Sequence, residues 1–407
     1  MLDTPPKEPE WRSWLYAAVW SCVIFCTIPY ARAFGDIIIT HIGRDFILFA
    51  TVAGAIAAAI LAFTNLRRRS LPLSAYGWLL GILTIFIGYA YHLRNIPVEP
   101  IHVLEYGILG LLVYRALVHR IRDCSVYGFA ILIVGLVGVF DEYIQWFTPS
   151  RVFGLQDIRT NVIAGGLAQI GIAAGLRPTL VSGLPSRKNL GRLCYAFVAG
   201  LIVLGLGYMN TPERIAWYAQ RIPVLSFLLD NNRTMIEYGY RYFDQDIGVF
   251  QSRFSPEQLK ENDHLRGEEV AQILDRYIRG EGYDSFLKAY SVPRDAYAHE
   301  AGVHLFRRNY YFDKARSQAK MKGTWYNIAF RENQILEKYF PTVLQESKHL
   351  WSPEIVIEVS SKASKKSEYE SSVSAELITS FSERQVLLGF VIVTGAFLLL
   401  GAYLNRE

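Results

Sequence analysis

Cysteine is nearly absent from this chain. Four occur, at Cys22, Cys26, Cys124 and Cys194, and each falls inside or at the end of an apolar block. The stretch from Asn210 to Glu383 has none, which excludes a disulfide framework for it. Cys22 and Cys26 share a helix face, an arrangement read as packing rather than metal ligation. Charge is scarce too, at 19 % of residues, where soluble proteins carry about a quarter. No basic patch is interleaved with aromatics, so nucleic acid is excluded as a partner. No small-residue cleavage site follows the first apolar block, which therefore reads as a retained anchor. Internal repeats are lacking as well.

What is present is apolar and blocked. Of 407 residues 51 % are hydrophobic, concentrated in eight segments that approach the ~20 residues needed to cross a bilayer. They are Trp14–Phe34, Phe46–Leu66, Leu73–His92, His102–Val118, Cys124–Phe147, Asp157–Gly175, Leu193–Met209 and Val386–Leu404. The expected fold class is an all-α polytopic membrane bundle of about eight spans with an inserted extracytoplasmic helical domain. Residues 1–209 would form a membrane domain with seven spans and 210–359 the helical domain. Residues 360–383 would be a Ser-rich linker and 384–407 a C-terminal anchor. The loops "NLRRRS", "YRALVHRIRD" and "GLRPTLVSGLPSRKNLGR" are basic and fall on alternate connections. By the positive-inside rule they are cytoplasmic, which places both termini inside and 210–383 outside.

Polar residues gather at the outward ends. The fourth span opens with His102, Glu105 and Tyr106 on one helix face. The fifth ends in Asp141, Glu142 and Gln145, and the sixth begins with Asp157 and Asn161, with Arg151 in the turn between them. Gly135 and Gly138 on the fifth span, and Asn161, Ala164, Gly165 and Ala168 on the sixth, form small-residue stripes that predict close contact of the two helices. Ionisable groups at membrane depth face the protein interior and mark functional sites. The alternative is architectural: Asp157 capping its helix, Arg151 pairing with an acid, and Trp146 and Phe147 in an aromatic belt.

At these residues the chain resembles the VanZ-like family, membrane proteins associated with teicoplanin resistance. One motif is His102, Tyr106 and Leu109 in "HVLEYGIL". The other is Asp141, Glu142 and Gln145, followed by Pro149, Arg151, Asp157 and Asn161. The match covers about Tyr89–Gly175. The family often has Asp-Lys shortly before the His, whereas this chain reads "VEPIH", with Glu99 where Lys is expected. The resemblance implies a cell-envelope membrane protein of bacterial type and supplies no reaction.

The insertion reads as helical throughout. "SPEQLKEN" shows a capping box with Ser255, Pro256 and Gln258. "GEEVAQILDRYIRG", "PRDAYAHEAGVHLFRRNYYFDKARSQ" and "WYNIAFRENQILEKYF" carry helical apolar spacing, the last stopped by Pro341. His299 and His304 in "HEAGVH" stand five apart, about 140° around a helix. A His-Glu-x-x-His zinc site needs a spacing of four, so the match fails. The aromatics of "EYGYRYFDQDIGVF" read as core, and the Ser-rich stretch Ser360–Ser382 as a flexible tether.

These residues predict an envelope membrane protein whose pocket binds a lipid head group, a lipid-linked wall precursor or a lipoglycopeptide. The candidate ligand-binding residues are His102, Glu105, Tyr106, Asp141, Glu142, Gln145, Arg151, Asp157 and Asn161. No cofactor or metal is assigned. Two other classes stay open: a hydrolase or transferase acting on a lipid-linked substrate with His102 or an acid as base, and an assembly scaffold using its outer domain to hold an envelope partner. A midplane site for transport is not indicated.

Overall fold

The computed structural model describes residues 6–96, 98–149, 151–231, 233–277, 282–317, 321–363 and 368–406. In chain order the first helices are α1 (Glu10–Thr27), α2 (Ala31–His41), α3 (Phe46–Arg68), α4 (Leu73–His92) and α5 (Glu99–Leu117). Then come α6 (Ser125–Trp146), α7 (Leu155–Ile170), α8 (Arg187–Tyr208) and α9 (Pro212–Ala219). A hairpin of β1 (Tyr240–Asp244) and β2 (Gly248–Ser252) precedes α10 (Pro256–Arg276), α11 (Tyr283–Ala289) and α12 (Ala296–Ser317). The chain closes with α13 (Lys322–Tyr339), α14 (Pro341–Glu346), α15 (Pro353–Lys362) and α16 (Glu383–Leu404).

Two compact units result: 1–206 with 389–407, and 207–388. Among the described residues seven helical segments are long and apolar enough to cross a membrane. The first joins α1 and α2 through the 3-10 turn Ile28–Tyr30, and the others are α3, α4, α5, α6, α8 and α16. The chain is thus a multi-pass membrane protein. The expected count of eight is not reached, because the segment over Asp157–Gly175 is not among them. It is helical, as α7 followed by the π-turn Gly171–Leu176. Gln156, Asp157, Arg159, Thr160, Asn161 and Gln169 make it too polar.

That polarity is matched by position. In the membrane unit α7 packs between α5 and α6. A Cβ on Gly138 would meet Asn161 at 3.0 Å, and one on Gly165 would meet Val134 at 2.7 Å. On the other side a Cβ on Gly110 would lie 3.2 Å from Ala168. Glycine at these positions lets three backbones approach, the source of helix association where lipid offers no hydrophobic drive. Tyr106, Leu109, Val113, Val134 and Ala164 are buried at this centre. Large side chains on α3, α4 and α16, such as Ile60, Leu80 and Leu399, stay exposed on the surface, where lipid tails solvate them.

The 207–388 unit is helical, with one departure from the expected all-helical insertion. "YRYFD" and "GVFQS" pair as an antiparallel hairpin, Tyr242 opposite Phe250. Alternation puts both rings into the core, and Asp244 accepts from the backbone of Asp246 and Ile247 to shape the turn. Gly248, at φ +110°, completes it in a conformation that L side chains rarely adopt. The expected capping box is present: Ser255 accepts from Gln258 N, and Ser255 N donates to Gln258 Oε1 at 2.8 Å. The two segments "SPEQLKEN" and "GEEVAQILDRYIRG" form a single helix, α10. The Ser-rich stretch is not a free tether over its described part. Tyr369, Val373 and Leu377 are buried, spaced four apart, and Glu370 and Ile378 make β-bridges to Val249 and Tyr238. Residues 364–367 of that stretch lie outside the described residues.

Candidate functional site

The antiparallel run of α5, α6 and α7 brings the start of α5, the end of α6 and the start of α7 to one end of the membrane unit. His102 and Glu105, three apart on α5, meet at 3.3 Å between Nδ1 and Oε2. Their side chains are 22 % and 19 % exposed, so they form a rim. One position further along, Tyr106 is fully buried and donates to Asp141 Oδ2 at 2.9 Å. Asp141, Glu142, Gln145 and Asn161 are buried beneath this rim.

Hydrogen bonds fix the floor. Gln145 Nε2 donates to Glu142 Oε1 at 2.6 Å, and Gly154 N donates to Glu142 Oε2 at 2.7 Å. The Arg151 guanidinium donates to Gln145 Oε1. Glu142, Gln145, Arg151 and Gly154 are therefore one connected turn. A Cβ on Gly154 would stand 2.8 Å from Asp157 Oδ2 and 3.6 Å from Glu142 Oε2, so glycine is required there for close approach. Asp157 lies in the first turn of α7, but Gly154 is the N-cap and no side chain caps the helix. The capping role that the architectural alternative gives Asp157 is not seen among the described residues.

His102 acts electrostatically on both Asp141 and Asp157, which ties the rim to the acids of α6 and α7. Arg151 interacts with Glu142, Asp141 and Asp157, while its described hydrogen bond goes to the neutral Gln145 amide. Its pKa is pressed below the ordinary arginine value by burial and then by the Arg32 guanidinium, the three acids opposing this. Two cations thus face one another at the same end. Asp141 Oδ1 and both amide atoms of Asn161 are buried with no hydrogen-bond partner among the described residues. All nine sequence-predicted residues sit on this helix end. The chemistry offered is mixed: guanidinium donors beside carboxylate acceptors, with an imidazole at the rim.

Two participants escaped the sequence. Arg32, exposed on α2, follows the 3-10 turn Ile28–Tyr30, which packs on α6 and delivers it to this end. Seventy residues separate it from His102, and no local pattern marks it. Glu99 opens α5 and couples to Asp157 and His102. In sequence it stood out only as an acid where a lysine was expected.

The histidines of "HEAGVH" do not converge. His299 Nδ1 lies 2.8 Å from the Tyr290 carbonyl oxygen, whereas His304 Nδ1 lies 2.5 Å from Glu332 Oε2. Glu300 accepts from the backbone N–H of Arg253 at 3.1 Å. Among the described residues no group of His, Cys, Asp and Glu is arranged to hold a metal ion.

No protein-family model, curated protein or solved structure matches this chain.

Proposed function

We propose that the chain is a cell-envelope membrane protein whose site at the ends of α5, α6 and α7 binds the head group of a membrane lipid or lipid-linked wall precursor. The observation that carries this reading is Arg151. It is a half-buried guanidinium bonded to a neutral amide, set above buried acids and repelled by a second arginine. A planar fork in that state is suited to a phosphate or carboxylate. Asp157, which interacts with Arg151, and Glu105 and Glu99 near His102 are suited to accept hydrogen bonds from hydroxyl or amine groups. A head group carrying both a phosphate and hydroxyls or an amine matches this set, and a simple anion does not, because acids outnumber cations around it.

In this proposal the membrane is the bacterial cytoplasmic membrane and α7 crosses it inside the bundle as an eighth span, so that the site opens to the outer leaflet, both termini are cytoplasmic and 210–383 is extracytoplasmic. The VanZ-like motif residues belong to the same proposal, with glycopeptide resistance as its physiological setting. The helical unit would dock an envelope partner.

A second reading has its own observation. His102 Nδ1 lies 3.3 Å from Glu105 Oε2 at the partly exposed rim, the pairing of imidazole and carboxylate that a general base uses. A hydrolase or transferase acting on the same head group follows from it. Mass spectrometry of lipids retained by the purified protein tests the first reading. Enrichment of one phosphate-bearing head group over bulk membrane lipid supports it, and a retained set identical to bulk contradicts it. Chemical change of that retained lipid on incubation would favour the enzyme.

A further inference from the structure

An apolar groove of about 810 Å³ runs between α6, α7, α8 and the second half of α16. It extends from Gly128 to Val139 on α6 and from Leu190 to Leu204 on α8. At 1.5 Å per residue that is roughly 17–21 Å, longer than one leaflet's half of a ~30 Å hydrocarbon layer. Its walls are glycine, aliphatic and phenylalanine side chains with the Cys194 thiol, and no charged or amide group lines it.

One end of the groove lies within a helical turn of the polar site on α6. Val139 stands three residues before Glu142, on the same face of α6. On α7, Ile158 lines the groove and follows Asp157 directly. Glu142 is held in place by Gln145 and Gly154. The order along the seam is therefore polar cluster first, then hydrocarbon-lined channel, the order of parts in a single amphiphile.

We propose that the groove holds the hydrocarbon chain of the same ligand whose head group the acid–arginine cluster binds. The ligand class is then a phosphate-bearing lipid with at least one chain a full leaflet long, acyl or polyprenyl. This rests on the head-group reading, and the test separates the two.

The probes are a diacylglycerol phosphate and a polyprenyl phosphate, each with a diazirine at the chain terminus, photolysed with the full-length protein in nanodiscs. Cross-links concentrated on α6, α8 and the end of α16 are expected from at least one probe, which also names the chain type. Labelling spread evenly over all lipid-facing helices overturns the proposal. Gly200→Phe should abolish the concentrated labelling. A Cβ at Gly200 meets Leu132 at 3.4 Å, ordinary contact, so the ring enters the groove rather than the backbone. Gly107→Leu, in a separate recess of about 200 Å³ between α3, α4, α5 and α7, should leave labelling unchanged. The opposite pattern would place the chain there and overturn the assignment.

Should Gly200→Phe fail to fold, Cys194 provides the second measurement. In a Cys22→Ser, Cys26→Ser, Cys124→Ser background, the probes should slow its alkylation by N-ethylmaleimide. No protection overturns the proposal. Arg151→Gln distinguishes the two layers. Loss of head-group selectivity with groove labelling retained supports both. Unchanged selectivity with groove labelling sinks the head-group reading alone, and lost selectivity without groove labelling in the wild type sinks the groove alone.

Discussion

Tyr106 donates its hydroxyl hydrogen to Asp141 Oδ2 at 2.9 Å, joining α5 to α6 between two fully enclosed side chains. The other carboxylate oxygen of Asp141 has no hydrogen-bond partner among the described residues. The tyrosine bond is therefore the hydrogen-bonding compensation for this buried acid among the described residues, beside the electrostatic attraction of His102.

Tyr106→Phe should lower stability by about 1–2 kcal/mol, the range for an interhelical hydrogen bond whose loss strands a buried acceptor. The loss should shrink in an Asp141→Val background, where no acceptor remains to strand. Thermal unfolding of the four proteins of this cycle in detergent checks it. Equal losses in both backgrounds would mean that the hydroxyl does not serve Asp141.

How much of this was legible in the sequence depended on pattern length. Long apolar blocks gave most membrane helices directly, since hydropathy over ~20 residues is a strong signal. The block over Asp157–Gly175 is helical as α7 but too polar to count among the seven apolar helices, because its position between α5 and α6 allows polar residues that a lipid-facing helix would not carry. Period-two alternation in "YRYFD" was masked by aromatics that suit a helix core as well as a strand. In "SEYESSVSAEL" serine composition suggested a tether, while three buried residues, Tyr369, Val373 and Leu377, hold the segment down. Motif spacing singled out nine residues that the structure brings to one end of the bundle, eight on three adjacent helices and Arg151 in the turn between α6 and α7. Arg32 was out of reach, since only packing of the 3-10 turn on α6 brings it near.

The 207–388 unit should show a pH-dependent stability that originates at His299. Burial, reinforced by the Arg253 guanidinium, pushes its pKa from 6.5 down to about 4. Between pH 4 and 6.5 the unfolded chain binds a proton that the folded chain refuses, so stability rises with pH through that window. His299 thus contributes fully above pH 6.5, and on the order of 3 kcal/mol is lost as pH falls to 4. Glu332 acts lower. Burial raises its pKa, but His304, Tyr369 and Arg307 outweigh this and hold it below the ordinary carboxylate value. Its contribution disappears only below about pH 4.5. His299→Asn should flatten the unfolding profile between pH 4 and 6.5 and leave the acid limb in place. An unchanged profile would assign the slope elsewhere.

Topology can be read in intact cells. In a cysteine-free background, a cysteine at Ser285 on α11 should react with an impermeant maleimide, and one at Arg68 on α3 should not. Both positions are exposed in the folded chain, so access reports sidedness rather than burial. The reverse pattern would turn the polar site toward the cytoplasm and remove the outer-leaflet ligand.

Arg151 gives the most direct test of lipid binding, because stability and retention can be measured on the same variant. If the guanidinium serves an anionic head group, Arg151→Gln keeps the fold and loses the selectively retained lipid. Arg151→Lys is also poor, since an ammonium cannot supply a planar two-pronged donor. If the guanidinium serves only the turn, its removal leaves buried acids uncompensated and costs about 3–5 kcal/mol. The measurement is native mass spectrometry of bound lipid beside thermal unfolding in the same detergent. The account predicts a near-unchanged unfolding temperature with the selected lipid gone, and a large drop in that temperature with retention intact in the folded fraction would contradict it.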